Sequence, residues 1–164
     1  MTLIPDHVYP SIYALDPEEL ARSGIRLLLA DLDNTLAAYK EETASPELHD
    51  WKEQLAAHGV KLFILSNSRK PTRAKRFAES LGTPFLGHAG KPGTSSFFRV
   101  MEEQGVPAAE TAIVGDQIFT DILGGNRSGI QTYLVKPLRQ DTLFRVLRYK
   151  LETPFRSACK DKRI

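Results

Sequence analysis

The residues best suited to chemistry in this chain are carboxylates placed where apolar strands should end. Asp31 and Asp33 follow the unbroken apolar run Leu27–Ala30, inside the stretch Ile25–Leu36. A run without alternation is what a parallel strand buried on both faces requires. Residues two apart on an extended chain point the same way, so both acids can face one site beyond the strand. Two buried like charges need a cation or a shared proton. Asp is also common at turns, so the pair taken alone reads equally well as turn or cap residues. Other polar residues then recur in a telling order. Ser66 and Asn67 follow a second apolar run, Val60–Leu65, and Lys91 stands in Gly90-Lys91-Pro92. A third run, Thr111–Val114, leads into Gly115-Asp116-Gln117-Ile118-Phe119-Thr120-Asp121. Hard oxygen donors such as Asp31 and Asp116 suit Mg²⁺, which keeps several waters and takes one or two protein carboxylates. Charge neutralisation, an in-line nucleophile and a proton for the leaving oxygen are what hydrolysis of a phosphate monoester demands.

Such residues need a sheet to position them. Asp16-Pro17-Glu18-Glu19 supplies an N-cap, a proline at the first helical position and acids in the first turn. Before it, Pro5 and Pro10 favour an extended lead-in, anchored by Val8, Tyr9, Ile12 and Tyr13. A polar stretch to about Ser45 precedes a helix over roughly Pro46–His58, with Trp51, Leu55 and Ala56 as its apolar face. Further helices are expected over about Pro71–Leu81, Thr94–Gln104 and from about Phe119, with strands at Thr83–Leu86 and Thr132–Val135. This alternation predicts an α/β fold, a doubly wound, five-stranded parallel sheet. Arg73, Lys75 and Arg76 read as a solvated helix face. Gly124-Gly125-Asn126-Arg127-Ser128-Gly129 follows a helix rather than opening one, so it reads as a helix terminus and turn, not a phosphate loop.

The ordered set resembles the haloacid dehalogenase (HAD) superfamily of phosphatases. Asp31-Leu32-Asp33-Asn34-Thr35-Leu36 matches its first motif, Ser66 its second, Lys91 its third, and Gly115-Asp116 through Thr120-Asp121 its fourth. The resemblance implies a HAD-like, Rossmann-like sheet and makes Asp31 the nucleophile that forms an aspartyl-phosphate. It makes Asp33 the acid that protonates the leaving alkoxide and then activates water. Asp31, Asp116 and the backbone carbonyl of Asp33 would hold Mg²⁺. Ser66 would hold phosphoryl oxygens and Lys91 would neutralise them. Asp121 would orient Lys91 or a metal-bound water, and Asn67 would either support the site or serve as a turn residue. The connections 36–60 and 65–91 leave no room for a cap domain, so the site should be open to large or surface-presented substrates. Within the superfamily, residues 3–151 resemble the capless, subfamily III, YqeG-type phosphatases, relatives of phosphatidylglycerophosphate phosphatases. That likeness rests on Pro5 to Asp16, the first motif, Gly115 through Arg127, and the last strand with Pro137.

The chain has 164 residues, enough for one well-covered core, and these divide into a single domain over 1–151 and a basic tail over 152–164. Its one cysteine, Cys159, excludes an internal disulfide and fits a reducing compartment. No signal peptide and no membrane-spanning run is evident, so a cytoplasmic protein is expected, at most peripheral at a membrane's inner face. The net charge of +2 conceals a basic end. From Lys136 onwards there are 9 Lys/Arg against 3 Asp/Glu, and 13 against 17 before it.

A final helix is expected over Asp141–Glu152, with Leu143, Phe144, Val146, Leu147 and Leu151 on one face and Arg145, Arg148 and Glu152 opposite. The favoured arrangement packs the apolar face on the sheet, and the alternative lays a basic amphipathic helix on an anionic membrane. Three functions follow. The leading one is hydrolysis of a lipid phosphate, the second hydrolysis of a soluble phosphate or phosphoprotein. The third is an idle binding module, against which all the polar roles are filled. No aromatic-rich basic platform is present, so specific nucleic-acid binding is not expected.

Overall fold

One sheet of seven parallel strands organises the computed structural model, which describes residues 2–68, 70–139 and 142–163. The strands are β1 (His7–Tyr9), β2 (Leu27–Ala30), β3 (Lys61–Leu65), β4 (Phe85–Leu86), β5 (Thr111–Gly115), β6 (Gln131–Val135) and β7 (Asp161–Lys162). The helices are α1 (Pro17–Arg22), α2 (Pro46–Ala57), α3 (Pro71–Leu81), α4 (Ser95–Gln104), α5 (Leu123–Ser128) and α6 (Leu143–Ala158). The strand order is β4-β3-β2-β5-β6-β1-β7. Asp141, the expected start of the last helix, and the chain ends Met1 and Ile164 lie outside the described residues.

β2 sits between β3 and β5, with Ala30 level with both Ile64 and Val114. The three strands therefore stop together, and Asp31, Ser66 and Asp116 emerge along one edge. β2 is buried on both faces because its residues alternate between two cores. Leu28 and Ala30 meet Trp51, Leu55, Phe77 and Leu81. Leu27 and Leu29 meet Phe97, Val100 and Met101. No cap domain covers the carboxyl edge among the described residues.

The five expected strands are present, and two short ones extend the edge. β1 pairs with β6, and β7 pairs with β1. At three and two residues they are too short to carry a period of their own. On α2 the buried face is Leu48, Trp51 and Leu55, while Ala56 is exposed. Gly124 and Gly125 lie inside α5 rather than ending it, and Gly129, at φ +72°, is the left-handed cap. A Cβ on Gly125 would stand 2.5 Å from Ile113 and 2.7 Å from Thr132, so the glycine lets α5 lie directly on the sheet.

Two expectations about charged helices are overturned. Arg73 is buried, not solvated: it reaches the carbonyls of Ala38 and Glu41 and the carboxylate of Asp33. The last helix is turned the other way from the favoured arrangement and runs on to Ala158. Leu143, Phe144, Leu147 and Leu151 are 85, 74, 55 and 59% exposed, whereas Glu152 and Arg156 are buried. The cause is what the helix lands on. The π-helical turn Ile118–Ile122 runs straight into α5 as the helix expected from about Phe119. It offers the backbone N–H of Ile118, which donates to Glu152 Oε1 at 2.9 Å, and Asp116 faces Arg148 at 3.2 Å. A buried donor and a buried carboxylate must be met by polar groups, so the polar face goes inward.

Candidate active site

β2 delivers Asp31, and Lys91, from the loop ahead of α4, comes to it. Lys91 Nζ lies 2.7 Å from Asp31 Oδ1, 2.7 Å from Asp121 Oδ1 and 2.6 Å from the carbonyl of Leu65. Burial works against a charge on Lys91, but Asp121 and Asp31 outweigh it and hold the ammonium above the usual lysine range. Asn67 fixes the backbone that carries Lys91. Its amide donates to the Lys91 carbonyl and its oxygen accepts the Lys91 N–H, both at 2.9 Å. Ser66 is fully buried, with its hydroxyl accepting the N–H of Ser68 at 3.0 Å.

β5 ends at Gly115, where a Cβ would fall 2.3 Å from the carboxyl of Asp121. Only a glycine lets the turn Ile118–Ile122 bring that acid so close to the strand end. Oxygens of Asp31, Asp116 and Asp121 then lie within 4.8 Å of one another, all buried. Burial, then the neighbouring Asp31 and Asp121, push Asp116 well above the usual carboxylate range. Burial likewise raises Asp121 to about 6 against the pull of Lys91. Three buried acids facing Lys91 and Arg148 remain short of positive charge, and hard oxygen donors at this spacing fit a divalent cation.

Asp33 is not part of that cluster through its side chain. It is held by Arg73 of α3, and burial raises its pKa despite the guanidinium. A carboxyl set apart from the cluster and biased towards its proton can donate one. Asp31, Asp33, Asn34, Asn67 and Ser68 line an open cleft whose other wall is Thr142, Phe144, Arg145 and Arg148 of the α6 segment.

The profile of the haloacid dehalogenase-like hydrolases matches residues 5–129. The chain belongs to the haloacid dehalogenase-like hydrolases. It is 36% identical over 161 residues to the "Probable phosphatase YqeG" of Bacillus subtilis, across 97% of this chain and 92% of that one. It is 33% identical over 132 residues to a chloroplastic/mitochondrial phosphatidylglycerophosphate phosphatase of Arabidopsis thaliana, covering 76% of this chain but 38% of the plant protein. Its fold is similar to the 3-deoxy-D-manno-octulosonate 8-phosphate phosphatase of Moraxella catarrhalis, solved with magnesium and phosphate. The TM-score is 0.51 at 14% identity, over 85% of this chain and 93% of that one. This HAD hydrolase is thus a phosphatase of YqeG-like kind.

In this HAD phosphatase the sequence does not single out two residues that reach the site, Arg73 and Arg148. Arg73 sits in a basic run that looks like helix surface. Arg148 sits on the face expected to meet solvent. A cue lay in the unbalanced charge, since four acids and one lysine in one buried place need further cations.

Proposed function

We propose that this phosphatase hydrolyses the phosphomonoester of a phosphatidylglycerophosphate-like lipid through an aspartyl-phosphate on Asp31, with Mg²⁺ as its cofactor. The observation that carries the chemistry is the separation of roles between Asp31 and Asp33. Asp31 lies against Lys91 and the acidic cluster, and Asp33 is held apart by Arg73. An oxygen of Asp31 attacks phosphorus as the bond to the alkyl oxygen breaks, and Asp33 gives that oxygen its proton. Asp33 then takes a proton from the water that attacks the aspartyl-phosphate, releasing inorganic phosphate and restoring both acids. Lys91 and Ser66 hold the phosphoryl oxygens, with Asp121 and Asn67 positioning Lys91. Asp31 and Asp116 would hold the ion with the Asp33 carbonyl, and Mg²⁺ when bound neutralises the charge of the phosphoryl group. The magnesium in the Moraxella enzyme and the acidic cluster support that choice of metal.

The lipid reading is supported by the relation to named phosphatidylglycerophosphate phosphatases and by the uncapped cleft. A soluble phosphate is the second reading, favoured by the polar side chains Asp31, Asp33, Asn34, Asn67 and Ser68 in that cleft. A protein of the cytoplasm that works at the inner face of a membrane fits the first. No helix is long and apolar enough to span a bilayer among the described residues.

Asp31→Asn should cut turnover by roughly a thousandfold or more while leaving the melting transition in place. Wild type mixed with excess EDTA should lose activity, and added Mg²⁺ should restore it. Retained activity in the variant would assign the nucleophile elsewhere. Faster hydrolysis of sugar phosphates or nucleotides than of the lipid in mixed micelles would overturn the lipid assignment and leave the phosphatase.

A further inference from the structure

We propose that α6 docks the enzyme on an anionic lipid leaflet through its outward apolar face, presenting the catalytic cleft to the headgroups. This rests on the lipid reading above and assigns it a surface. Leu143, Leu147 and Leu151 form one row at i, i+4 and i+8, and Phe144 lies beside it. A helix whose charged face is buried and whose leucines meet water is the reverse of an ordinary sheet-covering helix. The row does not stand alone. Leu147 and Leu151 line an apolar groove with Phe119, and Phe144 and Arg148 line both that groove and the cleft holding Asp31 and Asp33. The apolar surface and the chemistry therefore open on the same side.

Charge selects the occupant. Arg145 stands over the Tyr39 ring at the cleft wall, 5.1 Å from its centre, and Lys150 and Arg139 are exposed nearby along the chain. Apolar side chains bordered by cations match the acyl–headgroup boundary of an anionic leaflet. A second copy seated on the same face would bring these cations against their own counterparts, which opposes a symmetric dimer. A folded protein packed on Phe144 would also cover the cleft. A leaflet supplies substrate through that same opening.

The test uses the full chain and vesicles of phosphatidylcholine with phosphatidylglycerol, which contain no phosphomonoester. Wild type should co-sediment with them, and phosphatidylcholine alone should bind at least tenfold less. The triple variant Leu143→Ser/Leu147→Ser/Leu151→Ser should lose at least tenfold in binding while hydrolysing a soluble aryl phosphate within twofold of wild type. Its circular dichroism melt, matching wild type, establishes that it folds. Vesicle binding that survives the triple substitution, or its absence in wild type, overturns the proposal. So does a concentration-dependent dimer that the substitutions abolish in a protein that ignores vesicles. Because the vesicles carry no substrate, the two readings fail separately. Binding without turnover of lipid phosphate removes the lipid substrate and keeps the docking face; turnover in micelles without vesicle binding does the opposite.

Discussion

α3 and α6 are both amphipathic, both carry several basic residues, and they face opposite ways. α3 buries Ala74, Phe77, Ala78 and Leu81 and leaves Lys75 and Arg76 in water. α6 buries Glu152 and Arg156 and leaves three leucines and a phenylalanine in water. Each still sends one arginine to the carboxyl edge, Arg73 to Asp33 and Arg148 to Asp116. The difference lies in what each helix meets. α3 lies on the apolar side of the sheet, where Phe77 and Leu81 join the core around Ile64. α6 meets the turn Ile118–Ile122, which presents a buried N–H and lies beside a buried carboxylate. The period of a helix fixes which residues share a face, and the chemistry of the surface beneath decides which face goes down.

The largest expected effect is on stability. Phe77→Ala should cost about 3–5 kcal/mol, because it empties a fully buried site. Leu147→Ala should stay within about 0.5 kcal/mol, since more than half of that side chain already meets water. Urea unfolding of the two variants compares them directly. Equal losses would mean that α6 has its leucines inward after all.

The two arginines sharpen the contrast. Arg73→Ala leaves the half-buried Asp33 without its cation, at a cost of about 1–3 kcal/mol. It also removes the influence that holds the Asp33 pKa down, so the pH at which Asp33 ionises should rise, and the profile of turnover with it. Arg148→Ala should cost at least as much, because the Asp116 it leaves without a cation is fully buried. Asp33 should keep its ionisation there. Profiles of kcat against pH for the two variants separate them, and coinciding profiles would remove Arg73 from any role at Asp33.

Much of this was legible in the chain. The runs before Asp31, Ser66 and Asp116 could be read as strands because three buried parallel strands leave unbroken apolar sequence, and the acids at their ends mark a common edge. Asn67 and Asp121 are side chains that any turn could use; the family resemblance already pointed Asp121 towards Lys91, whereas the hold of Asn67 on the Lys91 backbone shows only in three dimensions. Arg73 was hidden by Lys75 and Arg76, its solvated neighbours. The orientation of α6 depends on the Ile118 N–H and on Asp116, which lie more than thirty residues earlier in the chain, so no local pattern encodes it. β1 and β7 were missed as strands because their stability comes from joining an existing sheet rather than from propensity.

The last comparison concerns Glu152, the residue that turns α6 over. Its carboxylate accepts the Ile118 N–H and faces Arg148 at 3.9 Å and Arg156 at 3.6 Å. Burial nevertheless pushes its pKa above the usual glutamate value, since desolvation outweighs the two guanidinium groups and the backbone donor. An acid with a raised pKa in the folded protein binds its proton more tightly there than in the unfolded chain. Its contribution is then fully present below the unfolded value and is lost as pH rises through the folded one. Glu152→Gln keeps the shape and the acceptor without the charge, so at pH 7 it should change stability by no more than about 1 kcal/mol. Lowering the pH towards 4.5 should stabilise wild type relative to this variant, because only wild type takes up the proton. Glu152→Leu keeps neither charge nor acceptor and strands a buried N–H, at a cost of about 1–3 kcal/mol at every pH. Urea unfolding of the three proteins at pH 7 and pH 5 separates these terms. If Leu were tolerated as well as Gln, the Ile118 N–H would not be what holds the polar face of α6 inward, and Arg148 with Asp116 would have to do so alone.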